Sequence, residues 1–332
     1  MQQSDLADVL VVSSSPHIRA HESVSRIMWD VNLALLPAAI VGIYLFGPPA
    51  LITIVLTVLS TVVSEAVLSR LFGKPIRLWD GSAVVTGLLL AFNLPPSVPW
   101  WLVVTGGFIA MLVGKHLYGG LGCNPFNPAL VARVVLVVAW PSFMTRFPAP
   151  FGGRHGVDAV STATPLDFLK QDVTMGLHLK NSANISLWDL FVGNIPGCIG
   201  EVSALALLLG AAYLLLRKVI TWHIPVAYIG TVVLFSGIYW LIDPTSYASP
   251  AFHVFSGGLM LGALFMATDM VTTPVTARGM LIFGVGCGLL TMIIRFYGGY
   301  PEGVSFSILI MNGLTPLIDK FTKPRILGEV KK

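Results

Sequence analysis

Lys115-His116-Leu117-Tyr118-Gly119-Gly120 and, later in the chain, Ile294-Arg295-Phe296-Tyr297-Gly298-Gly299 read as two versions of one helix end. Each closes an apolar run with a basic residue, an aromatic and a glycine pair. The likeness extends outward. Arg26-Ile27-Met28-Trp29 parallels Val219-Ile220-Thr221-Trp222, each at the start of an apolar run. Apolar runs of about 20 residues are long enough to cross a hydrocarbon core. They place spans near 27–46, 50–72, 82–94, 100–117 and 128–144, then 199–216, 224–242, 254–268, 280–296 and 304–318. The third and eighth are short, and they correspond. Five spans per copy is an odd number, so the second copy runs inverted through the membrane. The expected fold is an all-α integral membrane protein of about ten transmembrane helices in two inverted five-helix repeats. Transporters use this plan with the working centre at the repeat interface.

Composition agrees. The chain has 332 residues, 55% hydrophobic and 11% charged, with mean hydropathy +0.80. Soluble domains carry about 25% charged residues. The net charge of +4 comes from basic residues spread over loops. That pattern speaks for topology and against a nucleic-acid partner. With the N-terminus inside, 14 of the 20 lysines and arginines fall on inner segments. The positive-inside rule then places both termini in the cytoplasm and the long polar segment on the outer face. The domains read as a polar lead (1–26), a first membrane repeat (27–145), an outer loop (146–198), a second repeat (199–319) and a basic tail (320–332). The lead has no apolar core of a signal peptide. Cys123, Cys198 and Cys287 have no zinc or iron–sulfur spacing. No Rossmann glycine fingerprint or P-loop is present either. A redox centre on this chain must be organic.

The polar segment contains Asp158-Ala159-Val160-Ser161-Thr162-Ala163-Thr164-Pro165-Leu166-Asp167. By itself this is a Ser/Thr-rich turn. Ser161-Thr162-Ala163-Thr164 also resembles the Ser-x-Ala-Thr attachment signature of the RnfD family, a membrane component of the bacterial Rnf electron-transport complex. That family is related to the flavin-bearing membrane component of the sodium-translocating NADH:quinone oxidoreductase. Other blocks carry the same resemblance in order from about residue 13 to 327: Asp80–Leu89, Leu117–Ala129 with its Asn124-Pro125-Phe126-Asn127-Pro128-Ala129, Met260–Asp269 and Phe296–Val304. The short N-terminal lead is closer to the Rnf type. The resemblance implies FMN esterified through its phosphate to Thr164, with Ser161 and Ala163 as small neighbours that leave the hydroxyl reachable. It allows a second flavin. It implies a membrane subunit of a complex that couples electron transfer between ferredoxin and NAD to Na+ or H+ movement. Its partners would be the other Rnf subunits, including a second FMN-bearing subunit and iron–sulfur subunits. The chain alone would complete no reaction, and the expected location is the bacterial inner membrane.

Ionisable residues within spans are functional candidates because burying them is costly. Glu65 and Asp269 are the carboxylates of an ion path, or else structural partners of Arg133 or Lys115. His116, Asn124 and Asn127 complete the candidate set. The sodium-pumping relatives resemble this chain less at His116, where their pattern has a glutamate. His155, His178 and His253 read as surface residues. Trp100, Trp101, Trp188 and Trp222 read as an interfacial belt. A stand-alone small-solute channel or carrier of the same architecture, and a purely structural anchor, are the competing functions. Neither needs a flavin on Thr164.

Overall fold

A bilayer reverses the usual packing rule, and the second helix displays this. In the computed structural model, which describes residues 22–151, 161–175 and 185–323, α2 (Pro48–Leu71) turns Ile52, Val55, Leu59, Val63 and Val67 outward at helical spacing. It buries Thr53, Thr57, Ser60, Thr61, Ser64 and Glu65. Branched apolar side chains suit lipid. Small polar ones inside let backbones approach and bond across helices. Ser60 Oγ donates to Val104 O (3.0 Å), and Thr61 Oγ1 donates to Ala83 O (2.9 Å).

Before α2 comes α1 (Val24–Phe46). After it come α3 (Ser82–Phe92), α4 (Trp100–Met111) with a π-helical extension over Leu112–His116, and α5 (Pro128–Ala139). A one-turn α6 (Pro141–Met144) follows a break at Trp140. Phe147–Pro148 (β1) pairs antiparallel with Ser161–Thr162 (β2). The polar segment then forms α7 (Pro165–Met175) and α8 (Leu187–Val192). The second set is α9 (Ala204–Leu216), α10 (His223–Ile242), α11 (Pro250–Phe255), a one-turn α12 (Leu259–Leu261) with a π-helical extension over Gly262–Met266, α13 (Ala277–Tyr297) and α14 (Val304–Thr322). Among the described residues α1, α2, α10 and α13 are long and apolar enough to cross a membrane. α3, α4 with its extension, α5 and α9 are apolar and shorter. The molecule is a mostly helical membrane protein.

The helices pack in a repeated order. α2 lies on α3 and α4, and α4 on α5. α10 lies on α11 and α13, and α13 on α14. α1 and α9 pack on each other, as do α5 and α14. Close approach of α10 and α13 rests on Gly284 and Gly288. A Cβ at either would stand 2.7 Å from a Cβ on α10, that of Ala227 or Thr231. This is the small-xxx-small spacing of membrane helix pairs.

Two spans expected to be continuous are broken. The run 254–268 is divided at Ser256-Gly257, where Gly257 has φ +67°. The run 199–216 becomes helical only at Ala204. Its non-helical start is satisfied by the end of α3: Ile199 N donates to Leu94 O and Gly200 N to Phe92 O, both at 3.1 Å. Irregular backbone is tolerated at membrane depth only when protein groups complete it in this way. His253, expected on the surface, is fully buried, with its ring against Phe252 and Phe296. Trp100, Trp188 and Trp222 are exposed. Trp101 instead packs edge-on against Trp140 and Phe143. The lead to residue 21, Asp158, His155, His178 and the tail from 324 lie outside the described residues.

Candidate functional site

Thr164 is the N-terminal cap of α7. Its Oγ1 donates to Asp167 Oδ2 (2.7 Å), and Asp167 N donates back to Thr164 Oγ1 (3.2 Å). Thr164 N also donates to Asp167 Oδ2 (3.1 Å). Two residues three apart thereby satisfy each other's helix-end groups, as in a capping box. The polar composition suggests plain loop here, and the structure corrects that. The residues for a cap are in view, since Thr164-Pro165-Leu166-Asp167 puts proline at the first helical position and a carboxylate at the third. One turn on, Lys170 donates to the carbonyls of Gly298 and Tyr300, tying α7 to the turn between α13 and α14. Burial lowers the Lys170 ammonium from its ordinary value, and the nearby Asp167 carboxylate works against that.

Thr164 also stands on the wall of a cavity of about 820 Å³, mouth included. Its walls are apolar, among them Val134, Val137, Phe147 and Phe306, and its charged members include Arg133, Glu201 and Glu302. Arg133 projects from α5 and is buried. Its Nη2 donates to Glu302 Oε2 (2.5 Å) and its Nη1 to Asn93 O (2.5 Å). Arg133 Nη1 also lies 3.0 Å from Glu201 Oε1. The two glutamates come from chain breaks, one before α9 and one before α14. Gly258 N, freed by the break before α12, donates to Glu302 Oε1. The sequence singles out Arg133 but neither glutamate: Glu302 lies between two apolar runs, and Glu201 stands at the very start of one. A guanidinium inside a span requires a buried carboxylate, and that requirement is the signal the sequence does carry.

A flavin tethered at Thr164 would meet apolar walls and a few charged groups in this cavity. A tricyclic apolar ring fits apolar walls with a few polar groups at one edge. An ester on Oγ1 would set its phosphate at the N-terminus of α7 and would replace the hydrogen bond that Oγ1 donates to Asp167. Ser161 is aligned with Pro148 in the β1–β2 pair, and Ala163 borders a separate recess with Pro165 and Ile185.

The ion-path candidates form two adjoining groups elsewhere. Glu65 Oε1 accepts from Lys115 Nζ (2.9 Å), and Glu65 Oε2 lies 3.1 Å from His116 Nε2. Lys115 also donates to Ser82 Oγ (2.9 Å). All are buried. The widened π turn carries Lys115 and His116 side by side, and both meet the one carboxylate; Leu117 N reaches back to Leu112 O there. Lys115 is therefore the partner of Glu65, and Arg133 is not. Asn124, Asn127 and Asp269 line a second cavity of about 830 Å³ together with Lys115. Asn127 caps α5 through Ala129 N and Leu130 N and donates to Met266 O (3.4 Å). Asp269 accepts from Val271 N and Thr272 Oγ1, with no cation paired to it among the described residues.

The comparisons with known proteins agree along the whole chain. The profile described as "NQR2, RnfD, RnfE family" matches residues 11–328. The chain is similar to the D component of the Na(+)-translocating ferredoxin:NAD(+) oxidoreductase complex of Acetobacterium woodii, at 50% identity over 97% of this chain and 96% of that protein. It is similar to the D component of the proton-translocating ferredoxin:NAD(+) oxidoreductase complex of Clostridium ljungdahlii, at 48% identity over 97% of each. A third relative, the D component of the ion-translocating oxidoreductase complex of Escherichia fergusonii, is 41% identical over 97% of this chain and 99% of its own. Its relatives are thus subunits of ion-translocating oxidoreductase complexes, and the chain belongs to the NQR2, RnfD, RnfE family.

Proposed function

We propose that this protein is the membrane subunit of an Rnf-type complex that couples electron transfer between ferredoxin and NAD to ion translocation, and that it carries FMN as a phosphoester on Thr164. One observation carries the reading: in a chain of this family, the Thr164 hydroxyl lies at a helix N-terminus on the wall of an apolar cavity that holds charged groups. The bound flavin would supply one-electron transfer. The chain's own residues supply the tether, the orientation and the electrostatics. α7 fixes the tether, and Lys170 secures α7 to the turn that carries Glu302. The apolar wall excludes water from the ring.

The ten-segment inverted repeat belongs to the same reading and is supported by the doubled order of helix packing. So do the inner membrane, cytoplasmic termini and an outer-face Thr164, which rest on the bias of basic residues. The remaining Rnf subunits are the partners, and this chain alone completes no reaction. The second cavity, with Asn124 and Asn127 on its wall, is the place for a second, non-covalent flavin. Glu65, His116 and Asp269 border it or back onto Lys115, and they form the ion-path set on this side. Relatives named for Na+ and for protons are almost equally similar, so identity does not choose the ion.

The test is a denaturing gel of the protein purified from its complex, viewed for flavin fluorescence. Wild type gives a fluorescent band. Thr164→Val gives a dark one, with the other subunits still present. A fluorescent Thr164→Val band overturns the assignment.

A further inference from the structure

The Arg133 cluster is unevenly satisfied. Glu302 uses both oxygens: Oε2 accepts from Arg133 Nη2 and Oε1 from Gly258 N. Glu201 Oε1 is buried and receives no hydrogen bond, although Arg133 Nη1 stands 3.0 Å away. That nitrogen's hydrogen bonds go to Asn93 O and Cys198 Sγ. The two carboxylates also converge. A Cβ built on Gly258 would lie 2.7 Å from Glu302 Oε1 and 2.8 Å from Glu201 Oε1. Two carboxylates this near repel each other, and a proton taken up by one relieves that repulsion. Glu201 lines the same cavity as Thr164.

We propose that Glu201 is a redox-linked proton acceptor, taking up one proton when the cavity beside Thr164 gains one electron. The inference rests on the flavin reading above and deepens it. An electron added within apolar walls leaves a charge that water does not screen. The cations already present are committed, since Arg133 serves two carboxylates and Arg295 donates to the carbonyls of His253 and Ser256. The carboxylate oxygen that lacks a donor is then the place where a proton restores neutrality. The charged and titratable groups facing Glu201 are Arg133 on α5, Cys198 in its own segment, Glu302 before α14 and Arg295 on α13, with Asp167 of α7 on the same cavity. The balance is simple. The flavin held at Thr164 would be reduced by one electron from a one-electron carrier on a partner subunit, which is oxidised, and one proton would pass from water at the cavity mouth to Glu201. The net charge of the cavity is unchanged, and reoxidation returns both.

The experiment uses the assembled complex. A reduced-minus-oxidised infrared difference spectrum reads carboxyl protonation, and potentiometric titration at several pH values reads the covalent flavin's midpoint potential. In wild type, reduction produces a protonated-carboxyl C=O band that shifts in D2O. In Glu201→Gln that band is gone, the potential is higher at neutral and alkaline pH, and its dependence on pH is weaker. Glu302→Gln keeps the band. A wild-type spectrum without a carboxyl band overturns the proposal with no variant needed, so misfolding of a variant leaves it testable. A Glu201→Gln complex with the wild-type band and wild-type potentials also overturns it. Failure of the flavin reading looks different: the wild-type chain then carries no covalent flavin on Thr164, which is determined before the titration.

Discussion

At the scale of single residues, Thr164 caps α7 and is also the proposed flavin carrier. Its small neighbours make the ester plausible from sequence. The same hydroxyl caps a helix, and the Thr164-Pro165-Leu166-Asp167 spacing carries that signal, but the turn-like residues around it disguise where α7 begins. Thr164→Val therefore removes a cap as well as the proposed attachment point, and losing a threonine cap costs about 1 kcal/mol. The variant should keep its place in the complex while the first turn of α7 frays. The buried Glu65 pair is more sensitive. Removing one partner of a buried ion pair leaves an uncompensated charge and costs about 3–5 kcal/mol. Lys115→Met should lower thermal stability in detergent more than the double variant Lys115→Met/Glu65→Gln does. A double-variant loss equal to the sum of the Lys115→Met and Glu65→Gln losses would show that the two side chains act independently, contrary to the 2.9 Å contact between them.

At the scale of elements, hydropathy makes the long helices legible and leaves the breaks hidden. α1, α2, α10 and α13 coincide with apolar runs because lipid-facing positions dominate their composition. The segments around Ile199–Ser203 and Ser256–Gly258 adjoin such runs, yet they leave the helix. Their backbone finds partners from distant elements, the end of α3 and Glu302, and a local reading of residues does not contain such partners. The acidic half of the cavity cluster escapes the sequence for the same reason. Crossings between helices depend on small residues more than on hydrophobicity. Gly288→Leu inserts a side chain where even a Cβ lies 2.7 Å from Thr231 Cβ. Overpacking of this kind costs about 1–3 kcal/mol. The variant should melt earlier and assemble less, whereas Gly230→Ala, with open space around its Cβ position, should match wild type.

At the scale of the whole molecule, the proposed inverted repeat and sidedness give a direct expectation. Cys123 is exposed in the turn between α4 and α5, while Cys198 and Cys287 are buried. Under the proposed topology that turn faces the cytoplasm, and the turn between α10 and α11 faces outward. A membrane-impermeant maleimide applied to intact cells stripped of their outer barrier should leave Cys123 unlabelled until the membrane is opened. It should label a Thr245→Cys variant at once. The opposite pattern reverses the topology and moves Thr164 to the cytoplasmic side.

The central claim is the flavin on Thr164, and peptide mass spectrometry of the protein isolated from its complex tests it most directly. The account predicts that the peptide containing Thr164 gains the mass of an FMN ester, that fragmentation places it on Thr164 rather than Ser161 or Thr162, and that Thr162→Val retains it. An unmodified Thr164 peptide from a host able to attach flavin, or an FMN mass on another residue, contradicts the account.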